Sequence, residues 1–370
     1  MGHPVRPGGC VNAIRIRCCL VLLVCCLGCG ALGEDAPPAT LAGDGVPHDL
    51  LASLLPEAVP TSELGVHHSV DERMTHLRVP GFGMAVIEEG RIIWHDGHGH
   101  VGSVSSAPIS ADTAFQAASM SKAVAALGAL VLAERGLLDL DAPVNQYLGR
   151  WKIPNDHEGQ ADRITMAHLL SHTAALTVHG FPGYSPDEIL PSIVQILDGE
   201  APANTAPVRI DGTVGAAFRY SGGGYTVAEL VMEEVSGKDF ASLMDELVLG
   251  PLGMDRSSFA QPAPQEITNR AAPAVDGRGR PHDDRWHVYP EQAAAGLWTT
   301  AEDYAAFLLG LLAALDGVEG ALISKELAER MITPICDGYG LGVEISGKGI
   351  ATVIRHGGSN YGYKLSLIHI

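Results

Sequence analysis

Apolar and polar positions divide the chain into segments with different periods. An uncharged apolar run extends from Cys18 to Leu27. A short amphipathic pattern over Ser69–Leu77 predicts a helix. The apolar runs Gly83–Glu88 and Arg91–His95 flank Glu89-Gly90, which predicts strand, turn and strand. Ser119–Arg135 is rich in alanine, apolar on every face and stopped by Gly136, so it predicts a central, buried helix. From Leu137 to about Pro281 the pattern is helical but broken by Pro and Gly loops. Its better helices fall at Thr165–Ser171, Pro186–Leu197, Thr226–Ser236 and Phe240–Val248. Glu302–Leu315 predicts a further helix, and Tyr339–Ile345 and Ile350–Arg355 return to strand character. Strands at both ends of a helical middle predict an α/β (α+β) fold. Its sheet lobe takes residues 61–118 and 285–370, with a helical lobe over 119–284 inserted.

Composition narrows the class of protein. Hydrophobic residues make up 46% of the 370, enough for a full core. The net charge is −19, with no basic block in the body of the chain, which argues against a nucleic-acid partner. Residues 1–33 read as an export signal: Arg6, Arg15 and Arg17 precede the Cys18–Leu27 run, and Ala31-Leu32-Gly33 offers a small-residue cleavage site. The run is short for a membrane span, and a retained signal anchor is the alternative. Cleavage would remove three arginines and no acid, taking the charge from −19 to −22. Of the 7 cysteines only Cys336 lies beyond this segment, so a mature chain has no internal disulfide. Cys26-Leu27-Gly28-Cys29 loosely matches a lipoprotein cleavage site, with Cys29 as the lipidated residue. These features predict a periplasmic or extracellular protein, with membrane attachment through the anchor or the lipid as a variant. Glu34 to about Pro60 is rich in Pro, Ala and Gly and reads as a linker.

The candidate chemistry begins at Ser119-Met120-Ser121-Lys122. On a helix, positions three apart share a face. A serine hydroxyl is a weak nucleophile until a neighbouring base takes its proton, and Lys122 is placed to help. The pair alone is weak, but further motifs follow in order: His168 to Leu176 (HLLSHTAAL), Tyr220-Ser221-Gly222-Gly223-Gly224-Tyr225, Leu249 to Met254 (LGPLGM), Ala294 to Thr300 (AAGLWTT) and His356-Gly357-Gly358-Ser359-Asn360. This order resembles the serine beta-lactamase-related hydrolases, the class C-like group with D-alanyl-D-alanine carboxypeptidases and penicillin-binding-protein-like esterases. The resemblance covers roughly Ser69 to Lys364. It implies a beta-lactamase/transpeptidase-like fold, a mostly antiparallel sheet flanked by helices plus a helical lobe. By the same resemblance Ser119 matches the nucleophile that forms an acyl-enzyme, and Lys122 the amine that assists it. Tyr220 matches the tyrosine that relays the leaving-group proton. A phenol ordinarily titrates near ~10, so its anion needs a cationic neighbour such as Lys122. His356-Gly357-Gly358 matches the third motif on a strand edging the pocket, and the backbone N–H groups of Ser119 and Ser359 match the oxyanion hole. No metal or organic cofactor is implied.

Other features read more plainly. His172 fits a structural histidine near a helix end better than a catalyst. His95, His98 and His100 alternate along a hairpin and fit exposed polar positions better than a metal site. Glu233-Glu234 and Asp283-Asp284 read as solvated charge. There is no G-x-S-x-G elbow and no H-E-x-x-H.

The chain also departs from its relatives. Gly222 stands where the second motif usually has asparagine, whose amide often holds a substrate carbonyl. His356 stands where lysine is frequent, so the fixed charge that helps hold a substrate carboxylate is replaced by a largely neutral ring, with Arg355 as possible compensation if turned inward. Both departures point away from an efficient beta-lactamase and toward an esterase or peptidase acting on small ester or peptide substrates. The D-Ala-D-Ala carboxypeptidase and class C-like beta-lactamase readings stay as alternatives, and a non-catalytic penicillin-binding-like protein as one of another class. Ala175 replaces a usual glycine. Leu365–Ile370 departs from the family pattern, which continues with further strands and a closing helix, so the expectation is a C-terminally truncated chain with an open sheet edge.

Overall fold

The computed structural model describes residues 19–25, 69–100, 107–157, 159–347, 349 and 352–369. The expected linker, Cys29 and residues 1–33 apart from Cys19–Cys25 lie outside them. Its main sheet has six strands in the order β3-β2-β1-β8-β7-β6: β1 Cys19–Cys25, β2 Gly81–Glu88, β3 Arg91–Gly99, β6 Glu344–Ser346, β7 Val353–Asn360 and β8 Tyr363–His369. Every pairing is antiparallel. A small second ladder joins β4 Phe115–Gln116 to β5 Trp298–Thr299. The expected hairpin forms around Glu89-Gly90, and β2 is buried along its length except at Glu88.

Two expectations about the sheet are corrected. The expected boundary at residue 61 leaves out the apolar run near the N-terminus, yet β1 pairs with β2 on one side and β8 on the other. β8 is therefore not an edge; β3 and β6 are. The strand expected over Tyr339–Ile345 is confined to β6. Gly340 and Gly342 turn the preceding segment, and the Gly342 N–H donates to the Leu170 carbonyl instead of to a neighbouring strand.

Apart from the one-turn helix Gln265–Thr268, the described α-helices are α1 Val70–Leu77, α2 Ser121–Glu134, α3 Met166–Leu170, α4 Ile193–Asp198, α5 Gly222–Ser236, α6 Phe240–Met244, α7 Ala301–Leu315 and α8 Lys325–Met331. Capping boxes at Ser69, Thr165 and Ser192 set the starts of α1, α3 and α4. The Ser192 box also explains why α4 is shorter than the predicted Pro186–Leu197, since Pro191 brings no N–H to a helix there. α5 begins earlier than predicted because Ser221 Oγ accepts the Gly224 N–H at 2.9 Å and draws the glycine run into the first turn.

α2 is buried from Ser121 to Leu132, as its all-round apolar pattern requires. α7 packs on β2 and β3. One core cluster runs from the inner face of the sheet through α2 and α7 to α5 and α6. Burying α2 on every side leaves its N-terminal end one place to go: the seam between sheet and helical region, where Ser119 and Lys122 emerge.

Candidate active site

Ser119 lies in a 3-10 turn, Ala118–Met120, immediately before α2. Three long-range bonds hold that turn. Ala117 N–H donates to the Leu297 carbonyl at 2.7 Å, the Tyr304 hydroxyl donates to the Met120 carbonyl at 3.0 Å, and the Leu297 N–H donates to Ser121 Oγ at 3.0 Å. Ala118 sits at φ +50°, a region that costs a residue with a Cβ about 1–2 kcal/mol. β7 crosses close behind. A Cβ on Gly358 would stand 2.5 Å from the Ala117 carbonyl oxygen and 3.1 Å from the Ala118 Cβ, so only glycine allows this approach.

Lys122, 2% exposed, turns its amine back on the serine. Nζ donates to Ser119 Oγ at 3.1 Å and to the Ala294 carbonyl at 2.7 Å. With one N–H bound to the carbonyl, the nitrogen faces the Ser119 hydroxyl. Ala294 belongs to a single π-helical turn, Gln292–Gly296, whose next two carbonyls are also held. Asn360 Nδ2 donates to Ala295 O at 3.1 Å and Gln261 Nε2 to Gly296 O at 2.6 Å.

Tyr220 enters from the end of α5, its ring centroid 5.0 Å from Lys122 Nζ. The His172 ring packs 4.1 Å from the Tyr220 ring and that of His179 4.9 Å from it. His172 Nδ1 accepts the Ser221 N–H at 3.0 Å, which puts its proton on Nε2, an atom with no hydrogen-bond partner among the described residues. Burial, with Lys122 nearby, pushes the imidazole well below its ordinary range, so it is neutral. The structural role expected for His172 thus takes a definite form: it backs the Tyr220 ring and ties down the next residue. Ala175 holds φ +54°, where glycine sits without strain, so the turn near the pocket persists with alanine.

Ser119, Lys122, Tyr220, His356, Gly357, Gly358 and Ser359 line one cavity of about 620 Å³. Gly222 does not; it is buried at the start of α5, where a Cβ would lie 2.8 Å from Phe181 Cε2 and 3.1 Å from the His179 carbonyl oxygen. Phe181 is the lining residue on that side, and an asparagine at 222 would have to displace it.

His356 is buried, and both its nitrogens are engaged inside the protein. Nδ1 lies 2.7 Å from the Gly357 carbonyl and must donate to it, so Nε2 accepts the Tyr339 O–H at 3.0 Å. Burial, helped by Lys122, pushes it down to about 4. Near neutral pH it supplies no cation. Arg355 does not compensate: its Nε donates to Glu344 across β6 and β7 at 2.9 Å. The cation at the cavity mouth is Lys364, on β8 beside Ser359, whose Oγ its Nζ bonds.

Remaining sequence expectations resolve in the same way. His98 bonds Asp71 at 3.0 Å and His95 lies 3.4 Å from Glu302, and no His/Cys/Asp/Glu cluster among the described residues could hold a metal. Glu233 and Glu234 are not free solvated charge but clasp Arg150 at 2.6 and 2.8 Å. The sequence reading passed over Glu229 and Glu291, two buried carboxyls beside the π-helical turn. A carboxylate on the core face of a helix otherwise apolar there is the signal that was available for Glu229.

The chain is similar to several known proteins. A segment of 217 residues, 57% of the chain, is 29% identical to Esterase EstB of Burkholderia gladioli and spans 54% of it. Penicillin-binding protein 4* of Bacillus subtilis is 26% identical over 175 residues, 46% of this chain and 36% of that protein. The chain thus spans about half or less of these curated relatives. Among solved structures, the octameric penicillin-binding protein homologue from Pyrococcus abyssi superposes with a TM-score of 0.60 at 23% identity, covering 80% of this chain and 71% of that one. EstCE1, a hydrolase with promiscuous acyltransferase activity, gives 0.60 at 20% identity, covering 79% and 88%. At those identities the structures attest the fold alone. Residues 66–368 match the model of the Beta-lactamase family, and the chain belongs to that family.

Proposed function

We propose that this protein is a serine hydrolase that cleaves small ester or amide substrates through an acyl-enzyme on Ser119. The observation that carries the proposal is the buried amine of Lys122 lying 3.1 Å from Ser119 Oγ and anchored on Ala294 O, inside a cavity shared with Tyr220. Ser119 Oγ attacks the substrate carbonyl carbon as its proton passes to Lys122. The tetrahedral intermediate then collapses, and the leaving oxygen or nitrogen departs with a proton delivered through Lys122 and Tyr220. Water repeats the sequence on the acyl-enzyme, releasing the acid and restoring the serine.

Esters are the favoured substrates. The neutral, internally bonded His356 offers no charge to a substrate carboxylate, and Phe181 occupies the side where an asparagine amide would meet a peptide or beta-lactam carbonyl. The name of the esterase relative supports the same reading. The wild type is expected to react with a fluorophosphonate probe, to hydrolyse short-chain p-nitrophenyl esters quickly and to turn over cephalosporins poorly. Ser119→Ala should lose both labelling and hydrolysis. Efficient nitrocefin turnover without esterase activity would overturn the ordering of substrates, and an unlabelled, inactive wild type would favour a binding protein.

Export belongs to the same proposal, on the arginines and apolar run of residues 1–33. N-terminal sequencing of protein recovered outside the cytoplasm tests it, since cleavage after Gly33 would remove β1 as well.

A further inference from the structure

α5 reaches the reacting groups at two points. Tyr220 lies just before its first turn. Glu229 lies about 10 Å further along the helix, buried, with Oε2 accepting the Ala293 N–H at 2.8 Å. That amide belongs to the start of the π-helical turn Gln292–Gly296, whose N-cap residue, Glu291, makes no side-chain cap bond. Ala294, the residue after Ala293, presents the carbonyl that holds Lys122 Nζ at 2.7 Å.

We propose that Glu229 is a positioning residue for catalysis: by capping the π-helical turn it aims the Ala294 carbonyl and so holds the Lys122 amine against Ser119. The inference rests on the acyl-enzyme reading above. It deepens that reading by tying both proton-handling groups, Tyr220 and Lys122, to one helix. Without the carboxyl, the buried Ala293 amide loses its acceptor in a dry interior. The turn then rearranges to satisfy that amide, and the carbonyl beside it turns as well.

The surroundings set the protonation state that does this. Glu291 stands at the start of the turn, Glu233 one turn along α5 is tied to Arg150, and Lys122 approaches from α2. Tyr184 and Tyr289 lie near Glu291. The Glu291 carboxyl has no partner outside its own residue among the described residues, and burial pushes it up to about 8. Burial also holds Glu229 well above the usual carboxylate range, with Glu233 and Glu291 adding to the effect. Burial favours the uncharged acid, whose carbonyl oxygen accepts an N–H bond as an amide oxygen does. Glutamine is then its close substitute, whereas alanine is not.

The test is p-nitrophenyl butyrate hydrolysis by the full chain as a function of pH, with active sites counted by fluorophosphonate titration. Glu229→Ala should lower kcat per active site about 10–100-fold while KM stays within about 3-fold, because a small displacement of a reacting group has that size of effect. The midpoint of the acidic limb of kcat should move by about half a pH unit or more. Glu229→Gln should return kcat to within about 3-fold of wild type and restore the limb. Where Glu229→Ala does not fold, Glu229→Leu fills the volume without an acceptor and should behave the same way. Unchanged kcat per site and an unchanged limb in the Ala or Leu variant, whatever happens to Tm, would overturn the proposal. So would a Gln variant as impaired as Ala. A wild type that the probe does not label would fail the acyl-enzyme reading itself, a distinguishable outcome.

Discussion

The two walls of the cavity are built on different principles. The helical wall, made by the Ser119 turn, α2, α5 and the π-helical turn, is dry, and its polar atoms are pinned by backbone partners: Lys122 on Ala294 O, Ser121 on Leu297 N–H, Glu229 on Ala293 N–H. The sheet wall, β7 and β8, is wetter. Ser359 and Lys364 bond each other there by flexible side chains, and Gly357 is exposed. In a buried site an orphaned polar group is expensive, so each bond dictates a geometry. On an open strand, water replaces a lost bond at little cost. The proposed chemistry therefore resides on the first wall, and the second is where substrate preference can vary without loss of the reaction.

That contrast is broken most severely at the nucleophile. Ser119→Ala or Lys122→Met should lower kcat/KM for p-nitrophenyl butyrate by roughly 10⁴-fold or more, with the Tm of Ser119→Ala little changed. The next largest effect is expected where the two walls touch. Gly358→Val has no room against the Ala117 carbonyl oxygen and should push β7 off the Ser119 turn, lowering kcat about 100-fold. A Val variant with wild-type kcat would mean that the sheet does not register the serine.

Stability against pH probes the dry wall as a whole. Glu291, pushed up to about 8 from an unfolded value near 4.5, keeps its proton when folded and releases it when unfolded between those values. Stability should thus fall as pH rises from about 4.5 to 8, by about 3–5 kcal/mol, and Glu291→Gln should flatten the slope in denaturant melts. His356, pushed down to about 4, acts in the opposite direction. The unfolded chain takes up its proton first, so stability is also lost as pH falls from about 6.5 to 4. The smallest effect belongs to the open wall. Lys364→Met should change kcat/KM for a neutral butyrate ester by less than about 1.5-fold but slow a succinate monoester by about 2–5-fold, the order expected of one exposed charge pair. Equal effects on both esters would remove Lys364 from substrate selection.

The legibility of the chain follows the same division. Ser119, Lys122, Tyr220 and the His356-Gly357-Gly358 strand were readable because each sits in a short local motif, and the structure brings all of them to one cavity. The helix starts at Ser69, Thr165 and Ser192 were readable because a capping box is a local bond. The strand role of Cys19–Cys25 was not, because a continuous apolar run fits a buried strand as well as an export signal. Nor was the consequence of Gly222, which depends on Phe181 approaching from a distant loop.

The amino-acid sequence by itself determined the family, the proposed nucleophile and its amine, and the all-buried character of the helix behind them, since these rest on short spacings and on periodicity. Only the tertiary structure decided which carbonyl holds Lys122, that both nitrogens of His356 are used internally, that Arg355 pairs with Glu344, and that Glu229 reaches the turn at Ala293. Those pairings join residues far apart in the chain. Their partners are chosen by which buried donors and acceptors packing leaves facing one another, a condition no local pattern records.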